Sequence, residues 1–193
     1  VGNFAMTLIE NGIVAGEYFY GTDQSVNNNT LFPVASISKW ITSFGVLKLV
    51  EQGKIDLDKP IEDYLSRWQL PPSEFDHSKV TIRKVLSHSS GLVDDLGYAG
   101  FSSEEEVQSL EASLIKAADA PYSEGVARIG YEPGSQYMYS GAGYTILQLL
   151  IEEVTGQSFQ NYMTQTVFEP LGMDHSTFVL ADKPNLELTQ IYK

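Results

Sequence analysis

The sequence predicts an α+β fold, and three observations predict it. Strand-like apolar patterning falls only near the two ends of the chain; the long middle repeats its apolar residues every three to four positions; and strands do not alternate with helices as a parallel α/β sheet requires. With 193 residues, 42% of them hydrophobic and 19% charged, the chain has the makeup of one globular domain, or a domain with a subdomain. It carries no internal repeat and no low-complexity segment.

The elements follow in order. Residues 4–20 read as a β-hairpin, because two apolar runs flank Asn11-Gly12, the pair that best tolerates the positive φ angles of a tight turn. The polar, Asn-rich stretch 21–30 is a loop. A helix is expected over 37–50, with Ile37, Trp40, Ile41, Phe44, Leu47 and Val50 on one stripe and Gly53 beyond its end. Pro60 suits the first turn of a brief helix through residue 65, and Pro71-Pro72 breaks the chain again. Residues 80–87 read as helical. Ser103 with Glu106 forms a capping-box pattern that opens a helix through about residue 118. Loop follows over 120–134. A long helix is expected over 143–154, with Ile146, Leu147, Leu150, Ile151 and Val154 on its stripe and Gly156 at its end. Ser158 opens another through about residue 167, and 177–180 reads as a returning strand. Two or three strands are few to form a buried sheet for so many helices. The rest of the sheet then comes from another chain, or the sequence is part of a longer one.

Composition excludes several function classes. A formal charge of −13 repels phosphate backbones and anionic lipid, which argues against nucleic acid as a partner. No apolar run approaches the roughly 18 residues of a membrane span. The absence of cysteine removes disulfides, thiol catalysis and thiolate metal sites. His77 and His175 stand isolated, without metal-ligand spacing, and no dinucleotide or phosphate-loop pattern occurs. No cofactor is implied. The N-terminus shows no basic-then-apolar leader, which leaves the compartment open.

Three segments carry chemistry. The first is Ser36-Ile-Ser-Lys39. A serine hydroxyl needs a base to become a nucleophile. Residues three apart share a helix face, so Lys39 can reach back to Ser36, and a lysine serves as base when apolar surroundings favour its neutral form. Phe32-Pro-Val-Ala35 and Trp40-Ile41 supply such surroundings. Ser36 also opens the predicted helix, where backbone N–H groups can stabilise an oxyanion. About one Ser-x-x-Lys is expected by chance in such a chain, and Ser113-Leu-Ile-Lys116 is a second, read as an ordinary helix turn. The second segment is Glu132-Pro-Gly-Ser-Gln-Tyr-Met-Tyr139-Ser-Gly141. A tyrosine beside an ammonium loses its proton more readily than its usual pKa of about 10 implies, so Tyr139 is a candidate proton carrier; it is equally one of eleven tyrosines that pack and hydrogen-bond. The third is Leu86-Ser-His88-Ser-Ser-Gly91-Leu92. With Asp94 or Asp95 near, it invites a Ser-His-Asp reading, but no Gly-x-Ser-x-Gly elbow exists and triad members seldom lie side by side in sequence. His88 reads instead as a hydrogen-bonded residue of a packed loop.

Together these segments resemble class C β-lactamases and their relatives, the penicillin-binding proteins, D-amino peptidases and β-lactamase-like esterases. Thr30-Leu-Phe-Pro-Val-Ala-Ser36-Ile-Ser-Lys39 is similar to the family's nucleophile segment, and Leu49-Val-Glu-Gln-Gly-Lys-Ile-Asp-Leu-Asp58 with Pro60 to the connection after it. Val80-Thr-Ile-Arg83, Leu86–Leu92, Pro133-Gly134, Tyr139-Ser140, Gly143-Tyr144, Val154-Thr-Gly156 and Pro170-Leu-Gly-Met173 follow in the family's order. The resemblance implies a β-lactamase/transpeptidase-like fold, an antiparallel sheet packed by helices with an all-helical subdomain. Its expected parts are a sheet hairpin over 1–30, the nucleophile helix over 31–53, the helical subdomain over 54–176 and a return to the sheet over 177–193. It also implies Ser36 as the acylated serine, Lys39 as its lysine, Tyr139 as the tyrosine of Tyr-x-Asn, and Gly141 as a substrate-binding position. The implied location is the cell envelope or outside.

Two departures stand out. Tyr-x-Asn reads Tyr139-Ser-Gly141, without the amide, which favours an ester or peptide substrate over a β-lactam. The family's third motif, Lys-Thr-Gly or His-x-Gly, does not occur in residues 174–193. The expected partners are therefore a small-molecule or peptide ester or amide, and a C-terminal half that forms a second chain, was cleaved away or is missing. The alternative to an enzyme is a catalytically weak penicillin-binding or peptidoglycan-sensing module.

Overall fold

In the computed structural model, residues 2–22, 24–94, 98–101, 103–120, 124–179, 182, 188 and 189 are described. The chain divides into two compact units, residues 1–38 with 168–193, and residues 39–167.

The first unit holds the expected hairpin. Strands β1 (Phe4–Glu10) and β2 (Ile13–Tyr20) pair antiparallel, with a bulge between Leu8 and Ile9. Asn11 (φ 51°) and Gly12 (φ 78°) close the turn in the left-handed conformation their side chains permit. Both faces of this ribbon are solvent-exposed, and only Phe19 is half covered. Leu31 bridges Leu188 in parallel, and the Thr189 amide donates to the Leu31 carbonyl at 2.8 Å. The strand expected over 177–180 does not form among its described residues; Leu180 lies outside them. The Thr177 hydroxyl accepts from the Val179 amide at 2.9 Å and closes a local turn, while Phe178 stacks on Phe168 at 5.6 Å.

The second unit is built around a helix that is apolar nearly all round, α4 (Gly141–Thr155); Ile146, Leu147, Leu149, Leu150 and Ile151 are fully buried. Ser140 caps its start and Gly156, at φ 67°, its end. Helix α1 (Ser38–Glu51) ends as expected at Gly53 (φ 67°), with the Lys54 amide returning to the Leu49 carbonyl at 3.0 Å. Its buried face is not the large apolar stripe. Thr42, Gly45, Val46 and Leu49 are buried, whereas Trp40, Phe44 and Leu47 are exposed, Trp40 at 79%, and Ile41 and Val50 are half-buried. Small residues face inward because another helix needs the room. A Cβ on Gly45 would stand 2.5 Å from the Met163 sulfur, and the Tyr162 hydroxyl donates to the Gly45 carbonyl at 2.9 Å. Both belong to α5 (Phe159–Met163), which continues as a π-helical turn over Thr164–Phe168.

Other elements shift from expectation. Residues 80–87 shorten to α2 (Ile82–Leu86), capped by Thr81. The capping box at Ser103 yields only a 3-10 turn, Glu104–Glu106; the helix α3 (Leu110–Ile115) starts later because Ser109 accepts from the Ala112 amide. Gln108 explains the break: its side chain donates to the Lys116 carbonyl and accepts from the Ala118 amide, closing a loop around the short helix. The Ser158 hydroxyl makes no capping bond, and the Glu152 carboxylate receives the Phe159 amide instead. Within the stretch read as loop, Arg128–Ile129 (β4) pairs with Leu92–Val93 (β3).

Candidate active site

The β3–β4 ladder joins two motifs that sequence alone leaves apart. It continues from its Leu92–Ile129 end as backbone bonds: Gly130 and Tyr131 amides to the Gly91 carbonyl, the Gly134 amide to the Ser89 carbonyl at 2.7 Å, and the Met138 amide to the His88 carbonyl at 2.7 Å. Gly91 is required for this. At φ 78° it lies where L side chains are strained, and a Cβ would stand 2.1 Å from the Tyr131 carbonyl oxygen. The segment 88–93 is thereby fastened along 128–138, and Tyr139 is delivered to the start of α4.

There Tyr139 meets Lys39 from α1. The Lys39 ammonium lies 5.1 Å from the Tyr139 ring centroid and 5.5 Å from that of Tyr144, within cation–π range of both. The Tyr144 hydroxyl donates to the Leu86 carbonyl at 3.1 Å and lies 2.9 Å from the Ser43 hydroxyl, which reaches the Lys39 carbonyl at 2.8 Å. So the turn of α1 that carries Lys39 is held against α4. Two of the expected site residues, a hundred positions apart in sequence, come together inside one unit.

His88 completes the cluster. Its ring stacks on Tyr139 at 4.5 Å and also touches Tyr144 at 5.3 Å and Tyr137 at 5.8 Å. Its Nδ1 accepts from the Ser140 amide at 3.2 Å. Burial first, and then the nearby Lys39 charge, hold the imidazole below its ordinary value of 6.5, while Asp94 acts weakly the other way. The expected hydrogen bonding of His88 is present; its place against Tyr139 is what sequence reasoning missed. Asp94 does not serve as the carboxylate of a Ser-His-Asp arrangement, because its hydrogen bonds run elsewhere. Asp94 is buried and accepts at Oδ2 from the Ala142 amide and from the Tyr98 hydroxyl, a negative charge at the N-terminus of α4. Asp95 lies outside the described residues.

Gly141 is the first residue of α4. The space a side chain would take there is filled: a Cβ would stand 2.5 Å from Cε2 of Tyr98 and 3.1 Å from the Asp94 carboxylate. Ser36 belongs to the first unit. It is exposed and sits in a 3-10 turn, Ala35–Ile37, directly ahead of α1 in sequence. Ala35 has φ 44°, a strained value for a residue with a Cβ, at the position next to the expected nucleophile. Among the described residues no group of acidic or histidine side chains could hold a metal ion, and no helix is long and apolar enough to cross a membrane.

Comparison with known proteins places the chain in the β-lactamase-like class. A family model described as beta-lactamase matches residues 4–193, and the chain belongs to that family. It is 34% identical over 152 residues to penicillin-binding protein 4* of Bacillus subtilis, covering 78% of this chain and 31% of that protein. It is 31% identical over 158 residues to a putative D-alanyl-D-alanine carboxypeptidase of Escherichia coli K12, covering 77% and 34%. The chain thus spans about a third of the length of these curated relatives. Among solved structures, the octameric penicillin-binding protein homologue from Pyrococcus abyssi matches with a TM-score of 0.80 and 28% identity, over 100% of this chain and 44% of that one. These matches bear out the expected family and its β-lactamase/transpeptidase-like fold.

Proposed function

We propose that the complete protein cleaves an ester or amide carbonyl through an acyl-enzyme on Ser36. The Ser36 oxygen attacks the carbonyl carbon, and its proton passes through Lys39 and Tyr139 to the departing alcohol or amine. Water then adds to the acyl carbon, returns a proton to the serine and releases the acid. One observation carries this reading: the Lys39 ammonium lies 5.1 Å from the Tyr139 ring centroid, although the two residues belong to separate sequence motifs. The three-residue spacing of Ser36 from Lys39 and the strained turn beside Ser36 support it. A relative described as a putative D-alanyl-D-alanine carboxypeptidase favours an amide next to a D-residue. In this reading a C-terminal half, on the same or a second chain, supplies the remaining wall of the site.

A second reading, a weakly acylating penicillin-binding or peptidoglycan-sensing module, draws on Gly141. Where a side chain would project, the Tyr98 ring stands instead, and no amide is offered there to a substrate. Fluorescent penicillin and fluorophosphonate labelling of the complete protein, together with turnover of p-nitrophenyl esters and D-amino amides, separates the two. The hydrolase predicts labelling and turnover that both vanish in Ser36→Ala. Turnover unchanged in that variant sinks the acyl-enzyme, and labelling without turnover selects the binding module.

A further inference from the structure

The contacts of His88 go beyond packing. Three independent contacts hold the residues around Tyr139: the His88 carbonyl accepts the Met138 amide at 2.7 Å, Nδ1 accepts the Ser140 amide at 3.2 Å, and the ring lies on the Tyr139 ring at 4.5 Å and 29°. The amides on either side of Tyr139 thus end on one residue. His88 itself is held at φ 55°, a left-handed value that costs a non-glycine residue free energy. That conformation turns both the carbonyl and the ring toward the 137–140 segment.

We propose that His88 is the positioning residue of Tyr139, a clamp that works only while Nδ1 carries no proton. An acceptor at Nδ1 requires the neutral ring with its hydrogen on Nε2. Protonation turns Nδ1 into a donor facing the Ser140 N–H, and the clamp opens on one side. Among the described residues, the charged and titratable groups that face the ring bear on this equilibrium: Lys39 from α1, Asp94 after β3, Tyr137 and Tyr139 ahead of α4, and Tyr144 on α4. Burial and Lys39 both favour the neutral, clamping form. The consequence for catalysis rests on the proposed role of Tyr139 as proton carrier, whereas the clamp itself does not.

The test uses the complete protein and two variants that tolerate the backbone conformation. In His88→Asn, Oδ1 stands the same number of bonds from Cα as Nδ1, so it keeps an acceptor that does not titrate. His88→Gly keeps the backbone and removes both acceptor and ring. With a p-nitrophenyl ester, His88→Gly is expected to lose about tenfold or more in kcat with KM changed less than about twofold, as loss of positioning predicts. His88→Asn is expected to stay within about threefold of wild type at neutral pH and to fall less steeply between about pH 7 and 5. Long-range 1H–15N spectra, with His88 assigned by its absence in His88→Asn, should show the Nε2–H tautomer at neutral pH. An Nδ1–H tautomer, or a folded His88→Gly with kcat within about twofold of wild type, overturns the proposal. Tyr139→Phe is measured beside them. If it keeps full kcat, the proton-carrier reading has failed, and the tautomer alone then decides whether the clamp exists.

Discussion

At the scale of single residues, the candidate site divides into what spacing reveals and what only backbone conformation reveals. Lys39 is legible because it stands three positions after Ser36, and Tyr139 because a turn signal and a long apolar helix bracket it. His88 is not, since its role depends on a left-handed φ and on two amides fifty residues further along. If Lys39 and Tyr139 carry the proton as proposed, Tyr139→Phe and Lys39→Ala in the complete protein are each expected to reduce kcat by about 10²–10⁴-fold, read by steady-state kinetics. His88 also links stability to pH. Its folded value lies below 6.5, so the folded state binds the proton less tightly than the unfolded state does. Its stabilising contribution is full above about pH 6.5 and is lost as pH falls through the folded value. Urea midpoints measured across that window should decline on the acid side for wild type, with His88→Asn declining less. At Gly141, a methyl group collides with the Tyr98 ring, so Gly141→Ala should cost about 1–3 kcal/mol. Adding Tyr98→Ala should recover part of that cost, and strictly additive losses would show that the two positions do not compete for one space.

At the scale of elements, the hairpin and α4 were readable because each carries its own signal, a left-handed turn pair in one and a sustained apolar period with two caps in the other. The errors have physical causes of their own. A two-residue ladder such as β3–β4 has no period to detect, yet it is the piece that joins the His88 segment to the Tyr139 segment. The apolar stripe of α1 was visible, but the buried face is the one with small residues, because α5 approaches within contact of Gly45. The capping box at Ser103 lost to the Gln108 side chain, which satisfies backbone groups on both sides of a shorter helix. The ladder makes a sharp prediction. Gly91→Ala places a methyl 2.1 Å from the Tyr131 carbonyl at a positive φ, so it should destabilise the protein by about 3 kcal/mol or more and lower kcat by loosening Tyr139. A thermal midpoint and kcat unchanged from wild type would refute the zipper that delivers Tyr139.

At the scale of the whole molecule, the decisive feature is exposed apolar surface. The hairpin exposes Met6, Leu8, Ile9, Ile13, Val14 and Tyr18, and helix α1 exposes Trp40, Phe44 and Leu47. Scattered apolar residues are normal on a surface, but a two-stranded ribbon bare on both faces is marginal by itself in water. The part of this chain that matches its curated relatives spans about a third of their length. The proposal that a C-terminal half completes the sheet therefore has a measurable consequence at Trp40, which is 79% exposed here, against 8% for Trp68. In the complete protein Trp40→Ala should cost about 3–5 kcal/mol, the magnitude of an emptied core position. A surface tryptophan would cost no more than about 0.5 kcal/mol. The two values differ enough for a single denaturant titration to choose between them. If the cost is large and grows with protein concentration, a second copy covers the helix; if it is large at every concentration, the covering segment belongs to the same protein. A small cost at every concentration leaves α1 bare, and the C-terminal wall proposed for the Ser36 site does not lie against it.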